Sequence, residues 1–204
     1  MKNPSTVTSP ANRSLSPSCR AALVAAVVGA GGPAFAQTSA SADKPEPASA
    51  ATVARGNYLV DTGGCIDCHT PIKMGANGPE PDMNRHLSGH PEALVMPPVP
   101  VLPPGPWLVI SSATNTAFAG PWGVSFTANL TPDADTGLGP WTLRNFRDTI
   151  RTGRHMGRGR PILPPMPIPV YSKWTDADLD AVYAYLRTVA PVKNKVPEPL
   201  PPKK

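Results

Sequence analysis

The stretch GGCIDCHTP, residues 63–71, contains two of the three cysteines in this chain of 204 residues. Cys65 and Cys68 are separated by two residues, and His69 follows the second cysteine directly. Cysteines at this spacing occur in disulfides, zinc sites, redox-active dithiols and sites of covalent haem attachment. Each kind of site makes different demands on the rest of the sequence, and those demands decide which one is predicted.

Three of these four interpretations leave something unexplained. A disulfide between cysteines this close would close a very small loop, add little stability and give the histidine no role. A zinc site needs four ligands. The stretch supplies three at most, and although His86 or His90 could add a fourth, the chain has no second cysteine pair. A redox dithiol usually lies in a βαβ unit, whereas the sequence predicts no series of strands.

Covalent haem attachment uses all three residues. Two thiols three positions apart on one helical turn can each bond a vinyl group of the porphyrin, and the next residue can then reach the iron. We therefore predict one covalently bound haem c. Cys65 and Cys68 are its predicted thioether attachments, and His69 is the predicted axial iron ligand through Nε2.

Met166 is the predicted ligand on the other side of the iron. It lies in ILPPMPIPVY, residues 162–171, where prolines on both sides reduce the entropy cost of holding a thioether in place. Met156, His155 and Met96 are the alternatives. A neutral thioether raises the reduction potential relative to a second histidine, and it fills the position that oxygen or peroxide would need. Both effects favour electron transfer over catalysis.

The first 36 residues are typical of an export signal. Their basic residues are Lys2, Arg13 and Arg20, and the apolar stretch AALVAAVVGA is followed by AFA, an A-x-A pattern. Cleavage after this pattern would lower the lysine and arginine count from 19 to 16 against 14 acidic residues, so the formal net charge falls from +5 to +2. We therefore predict a periplasmic protein, with no transmembrane span in the mature chain and no nucleic-acid partner.

The predicted fold is mostly α. Helices are predicted at 51–62, 142–152 and 176–189, with Thr142 and Thr175 as N-caps of the second and third. The first and last of them are expected to cross and pack against each other, with the haem in the centre and one edge exposed.

Between the first two helices the sequence predicts a long irregular insertion rich in proline and glycine. The chain contains 29 prolines and 17 glycines, and the run from 91 to 106 is too rich in proline to donate many backbone hydrogen bonds. Aromatic residues make up only 6% of the chain. The predicted protein core is therefore thin, and a buried macrocycle would supply apolar surface.

Four segments resemble class I cytochromes c, and more narrowly the cytochrome c domains that accompany bacterial periplasmic dehydrogenases. They are RGNYLV…GGCIDCHTP (55–71), FTANLTPDADTGLGPWT (126–142), RTGRH (151–155) and LPPMPIPVYSKWTDADLDAVYAYLRTVAPVKN (163–194). The resemblance implies thioethers at Cys65 and Cys68, with His69 and Met166 as axial ligands. Dehydrogenase cytochrome subunits often carry three haem motifs, whereas this chain has one.

The resulting domain prediction has four parts. They are a signal peptide at 1–36, a flexible linker at 37–50, a monohaem cytochrome c domain at 51–190 and a Pro/Lys-rich tail at 191–204. The predicted function is a one-electron carrier, not an enzyme, that passes electrons from an exported dehydrogenase to another cytochrome or an oxidase. The alternative is a haem enzyme or ligand sensor with an open iron position.

Two charged patterns have simpler interpretations than binding sites. Six arginines lie between 144 and 160, where one or two could pair with haem propionates and the others would form a solvated face. The acids of PDADTG, residues 132–137, could suggest calcium, but turn formation and capping explain them more simply. Trp122, Trp141 and Trp174 are interpreted as walls of the core or of the haem pocket.

Overall fold

The computed structural model describes residues 48–100 and 105–202. The predicted signal peptide, most of the predicted linker and the last two residues lie outside the described residues. Five helices are present in the described part: α1 (Ala50–Thr62), α2 (Cys65–His69), α3 (Leu143–Thr152), α4 (Ile168–Tyr171) and α5 (Asp176–Leu186). Five short strands accompany them: β1 (Ile72–Gly75), β2 (Gly78–Pro81), β3 (Ile110–Ser111), β4 (Ala117–Gly120) and β5 (Gly123–Phe126).

The helices α3 and α5 begin at the threonine N-caps that the sequence predicts. Thr142 and Asn145 form a capping box at the start of α3, each side chain bonding the backbone N–H of the other. Thr175 accepts a hydrogen bond from the backbone of Asp178 at the start of α5. α5 ends at Leu186, three residues earlier than predicted, because Thr188 N–H already bonds the carbonyl three residues back.

The first and last helices pack against each other, as predicted. α1 and α5 approach so closely that a Cβ atom placed on Gly56 would lie 1.9 Å from the carbonyl oxygen of Ala181. The core continues from this crossing into the loops and α3. Its buried apolar residues are Leu59, Val60, Leu87, Leu138, Phe146, Ile150, Tyr171, Leu179, Val182 and Leu186.

The strands correct the expectation that the middle of the chain forms no strand series. β1 and β2 form an antiparallel hairpin, and β4 lies between β3 and β5 in a second antiparallel sheet. These strands are two to four residues long, too short to show the alternation that predicts a strand. The fold therefore combines helices with two small sheets, so the predicted mostly α fold describes only part of the structure.

The proline-rich insertion contains no helix or strand in its described residues, 91–100 and 105–106. The segment after α5 has no regular secondary structure either, but it packs on the domain. Asn194 is buried, and Leu200 exchanges two backbone hydrogen bonds with Val124 of β5. Among the described residues, no helix is long and apolar enough to cross a bilayer.

Candidate haem-binding site

The attachment stretch forms its own short helix. Gly64 adopts a left-handed conformation, with φ of 74°, which lets the chain leave α1 and begin α2 within two residues. Residues three apart on a helix lie on the same side. α2 therefore presents the thiols of Cys65 and Cys68 together, with His69 one residue further on.

Both thiols are free and both are partly buried. Burial raises the pKa of Cys65 to about 11. Burial also raises the pKa of Cys68, and the nearby charge of Asp67 acts in the same direction. The thiols are therefore protonated at neutral pH. A redox dithiol depends on a lowered thiol pKa, so this environment suits addition of S–H to a vinyl group and does not suit disulfide exchange.

His69 is buried and held in one tautomer. Its Nδ1 lies 2.8 Å from the carbonyl oxygen of Ala128, and because a carbonyl only accepts, Nδ1 carries the proton. The other ring nitrogen, Nε2, has a free lone pair and forms no hydrogen bond to the described residues. Burial lowers the pKa of His69, although the bond to Ala128 opposes this. The neutral imidazole is the form that binds a metal.

Hydrogen bonds from two loops hold the C-terminal end of α2 in place. The backbone N–H of Gly89 donates to the carbonyl of His69 at 2.8 Å, and the hydroxyl of Thr70 accepts from the N–H of Leu87 at 3.0 Å. The same Leu87 accepts from the N–H of Leu130. Two loops, 87–90 and 127–131, thus fix the backbone on either side of the histidine.

Met166 packs against the same hydrophobic core as Cys65. Hydrogen bonds hold its loop on both sides of the methionine. Ser125 Oγ donates to the carbonyl of Pro164 at 2.6 Å, and the Tyr171 hydroxyl donates to the carbonyl of Gly63. Burial raises the pKa of Tyr171 to about 12, so this hydroxyl keeps its proton. The structure therefore brings the predicted sixth ligand and the attachment helix to one apolar region.

The other candidate ligands have different surroundings. Both ring nitrogens of His90 are engaged, with Thr116 Oγ1 and the carbonyl of Leu94, each at 2.9 Å. His86 bridges Thr70 and Tyr185. Neither histidine therefore completes a zinc site with the cysteines, and no group of three or more His, Cys, Asp or Glu side chains suited to a metal ion occurs in the described residues.

The two candidates that follow α3 lie in a tight loop. His155 packs edge-on against Trp141, with ring centroids 5.1 Å apart, and Met156 has a left-handed backbone with φ of 50°. Met96 is half-buried in the proline-rich insertion. Neither methionine is among the hydrophobic residues that pack with Cys65 against the core.

Most of the arginines between 144 and 160 have acidic partners in the fold. Four of them form ion pairs: Arg144 with Asp148, Arg147 with Asp180, Arg151 with Asp176 and Arg160 with Glu198. Three of these acids come from α5 and the C-terminal segment, so adjacent sequence did not reveal them. Trp141 and Trp174 pack against the core as predicted, while the ring of Trp122 lies over Gly120 of its own hairpin.

The acidic turn is explained by its own hydrogen bonds. The carboxylate of Asp133 accepts from the backbone N–H groups of Asp135 and Thr136 and from the Thr136 hydroxyl. These bonds lower the pKa of Asp133. The geometry supports the interpretation of PDADTG as a turn.

Comparison with known proteins identifies relatives that match about three quarters of the chain. The gluconate 2-dehydrogenase cytochrome c subunit of Pantoea cypripedii is 31% identical over 148 residues, 72% of this chain. The fructose dehydrogenase cytochrome subunit of Gluconobacter japonicus is 28% identical over 158 residues, 76% of the chain. The chain is a relative of dehydrogenase cytochrome c subunits. The resemblance predicted from the four sequence segments is thereby confirmed.

The similarity covers only part of each relative. The chain spans 25% of the length of both of these cytochrome subunits. It spans 10% of a nicotinate dehydrogenase component from Pseudomonas putida, to which it is 28% identical over 149 residues. No family model matches the chain. The donor set of α2 fits the haem c that a cytochrome c carries, because two partly buried thiols and a neutral histidine with a free Nε2 occur together.

Proposed function

We propose that this protein is a periplasmic electron carrier with one covalently bound haem c, cycling between Fe(III) and Fe(II). The observation that carries the proposal is the state of His69, a buried and neutral imidazole whose Nδ1 is bonded to Ala128 and whose Nε2 is free. Metal-binding histidines commonly have their second nitrogen bonded to a carbonyl in this way. The similarity to dehydrogenase cytochrome c subunits supports an electron-transfer role.

In the proposed site, Cys65 and Cys68 would hold the porphyrin through thioethers and His69 would bind the iron. The bound haem supplies the one-electron redox chemistry. Covalent attachment keeps the group in place through repeated redox cycles, and burial of α2 against the core limits the access of water. None of these residues needs to move for an electron to enter or leave.

Met166 is the proposed ligand on the opposite side. Bonds on either side of its loop, from Ser125 to Pro164 and from Tyr171 to Gly63, restrict its movement. Such restriction lowers the entropy cost of holding a neutral thioether at the iron. A thioether there favours the ferrous form relative to a second histidine, and it excludes small ligands from the position.

The proposed electron donor is an exported dehydrogenase, and the proposed acceptor is another cytochrome or an oxidase. Relatives of the chain are subunits of gluconate, fructose and alcohol dehydrogenases. The similarity to these subunits supports the proposal that the chain exchanges electrons with a dehydrogenase. The proposed signal peptide at 1–36 would place it in the periplasm.

The test is to produce the full chain in a bacterium that contains the cytochrome c maturation machinery. We expect a red protein in the periplasm whose haem stays attached after denaturation and acid extraction, with one haem per chain. The double variant Cys65→Ala/Cys68→Ala should lose covalent haem, while Met83→Ala, an exposed residue, should retain it. A colourless wild-type protein would contradict the proposal.

A further inference from the structure

We infer that Asn194 is a positioning residue that holds the proximal histidine, His69, in the orientation needed at the iron. The inference rests on the proposed function. Asn194 lies in the segment 192–200, which we name the C-terminal strap. The strap follows α5, more than 120 positions from the histidine in sequence, and the hydrogen bonds between them pass through two loops.

Asn194 is buried, with only 7% of its surface exposed, and its side chain bonds three backbone groups. Its Nδ2 donates to the carbonyls of Ser88 and His90, at 2.7 and 2.8 Å. Its Oδ1 accepts from the N–H of Glu92 at 2.8 Å. One amide side chain thus fixes the course of the loop 88–92.

That loop is bonded directly to the backbone of the histidine. Gly89, between the two residues whose carbonyls Asn194 binds, donates its N–H to the carbonyl of His69 at 2.8 Å. Gly89 has a left-handed backbone with φ of 76°, and a Cβ atom there would lie 2.4 Å from the carbonyl oxygen of Thr127. The loop therefore has little freedom to move independently of α2 or of the loop 127–131.

The strap is also connected to the residues on both sides of Ala128, whose carbonyl orients the imidazole. His90 donates its N–H to the carbonyl of Thr127 at 2.9 Å, next to Ala128. On the other side of Ala128, the buried Asn129 donates through Nδ2 to the carbonyl of Val192 at 2.8 Å. Both residues that flank Ala128 are therefore connected to the strap. Asn129 bonds it directly, and Thr127 is connected to it through His90.

The strap is itself anchored beyond Asn194. The N–H of Lys195 donates to the carboxylate of Glu92 at 3.1 Å, and Leu200 exchanges backbone bonds with Val124 of β5 at 2.9 Å. Asn194 is thus held against the loops by a segment that is fixed at its far end. A positioning role for Asn194 requires such an anchored segment, because a mobile C-terminal segment would not maintain the three side-chain bonds of Asn194.

The bond from His69 Nδ1 to Ala128 affects the electronic character of the imidazole. A carbonyl that accepts the Nδ1 proton raises the basicity of the other nitrogen and fixes the plane of the ring. A more basic imidazole favours ferric iron. Loosening the Ala128 carbonyl should therefore weaken the bond, reduce the donation from His69 and raise the reduction potential.

The test compares the haem-loaded full chain with Asn194→Ala and with Lys193→Ala. Lys193 lies on the same strap, but among the described residues its side chain bonds Asp135 alone, which is exposed, so it serves as the matched control. The measurements are the reduction potential, the NMR signal of the His69 Nδ1–H proton and its exchange rate with solvent. A loss of stability alone would move none of these in the folded protein.

We expect Asn194→Ala to raise the potential by about 28 mV, a threefold change in the Fe(III)/Fe(II) equilibrium at about 59 mV per tenfold for one electron. The Nδ1–H proton should shift and exchange faster, while Lys193→Ala matches the wild type. Asn194→Ser keeps one donor, should fold if the alanine variant does not, and should shift both readouts in the same direction. Wild-type values in a folded variant at position 194 would overturn the inference, whereas a wild-type protein without haem would contradict the proposed function instead.

Discussion

The hydroxyl of Tyr171 donates a hydrogen bond to the carbonyl oxygen of Gly63. Tyr171 follows Met166 by five residues, and Gly63 precedes Cys65 by two. One bond therefore joins the segment that carries the predicted sixth ligand to the turn that immediately precedes the helix of the predicted haem attachment. Tyr171 is also buried in the core and packs on Trp174, with ring centroids 4.8 Å apart, so the phenol is fixed before any ligand is bound.

Replacing this tyrosine tests the connection. Tyr171→Phe keeps the ring in the core but leaves the Gly63 carbonyl without its partner, which should lower the free energy of unfolding by about 1 kcal/mol. The measurement is urea unfolding, followed by the haem absorbance. Tyr58→Phe is the control, because that ring is 57% exposed and lies beside Arg55. Equal stability of both variants and the wild type would show that the hydroxyl contributes nothing.

The crossing of α1 and α5 depends on a glycine. Glycine to alanine in a helix usually adds up to about 1 kcal/mol of stability. At position 56, however, the new Cβ would meet the Ala181 carbonyl and come within 2.8 Å of the Tyr185 Cβ. Gly56→Ala should therefore destabilise the protein by about 3 kcal/mol.

The control for this substitution is the neighbouring exposed residue. Asn57→Ala, on the solvent side of α1, should be neutral or slightly stabilising because alanine has the higher helix propensity. Thermal unfolding of the two haem-loaded variants measures the difference. If Gly56→Ala melts at the wild-type temperature, the close contact between the helices does not exist in solution.

The sequence predicted the helices and the attachment motif because their signals are local. The spacing of Cys65, Cys68 and His69 carries its chemistry within five residues, and the threonine caps of α3 and α5 lie beside the helices that they start. The ligands themselves remain predictions, but the geometry around His69 and Met166 is consistent with them.

The supports of the site could not be predicted, because they join positions far apart in the chain. Nothing in the local sequence links Ala128 to His69, and Asn194 lies in a Pro/Lys-rich stretch that has no periodic pattern. The only signal was the segment FTANLTPDADTGLGPWT (126–142), one of the four segments that resemble class I cytochromes c. Buried asparagines that bond several backbone carbonyls have no sequence signature beyond their residue type.

The ion pair between Arg55 of α1 and Asp178 of α5 should make the stability of the protein depend on pH. Hydrogen bonds from Arg55 and then from Thr175 lower the pKa of Asp178 below its ordinary value of 3.8. The unfolded chain therefore binds a proton more readily than the folded protein. The stabilisation is fully present above that ordinary value and is lost as the pH falls through the folded pKa.

Asp178→Asn removes this titration. Urea unfolding between pH 7 and pH 3 should show a smaller loss of stability on acidification than in the wild type. At pH 7 the variant should be less stable by under about 1 kcal/mol, since the Arg55 side chain is half-exposed and such pairs are weak. Asn57→Ala, at an exposed and uncharged residue of α1, should leave the acid dependence unchanged. Equal acid dependence in the Asp178 variant and the wild type would exclude this role of the pair.

Met166→Ala decides between the electron carrier and the alternative of a haem enzyme or ligand sensor. If Met166 binds the iron, the wild-type ferric protein shows a sulfur-to-iron charge-transfer band, and the variant loses it. The potential should fall because a neutral thioether no longer favours the ferrous form, and carbon monoxide should bind the ferrous variant but not the wild type. Met74→Ala, at a residue 76% exposed, should keep the band. Rapid binding of carbon monoxide to the wild type would instead indicate an open iron position, and peroxidase or ligand-sensing activity would then be the function to measure.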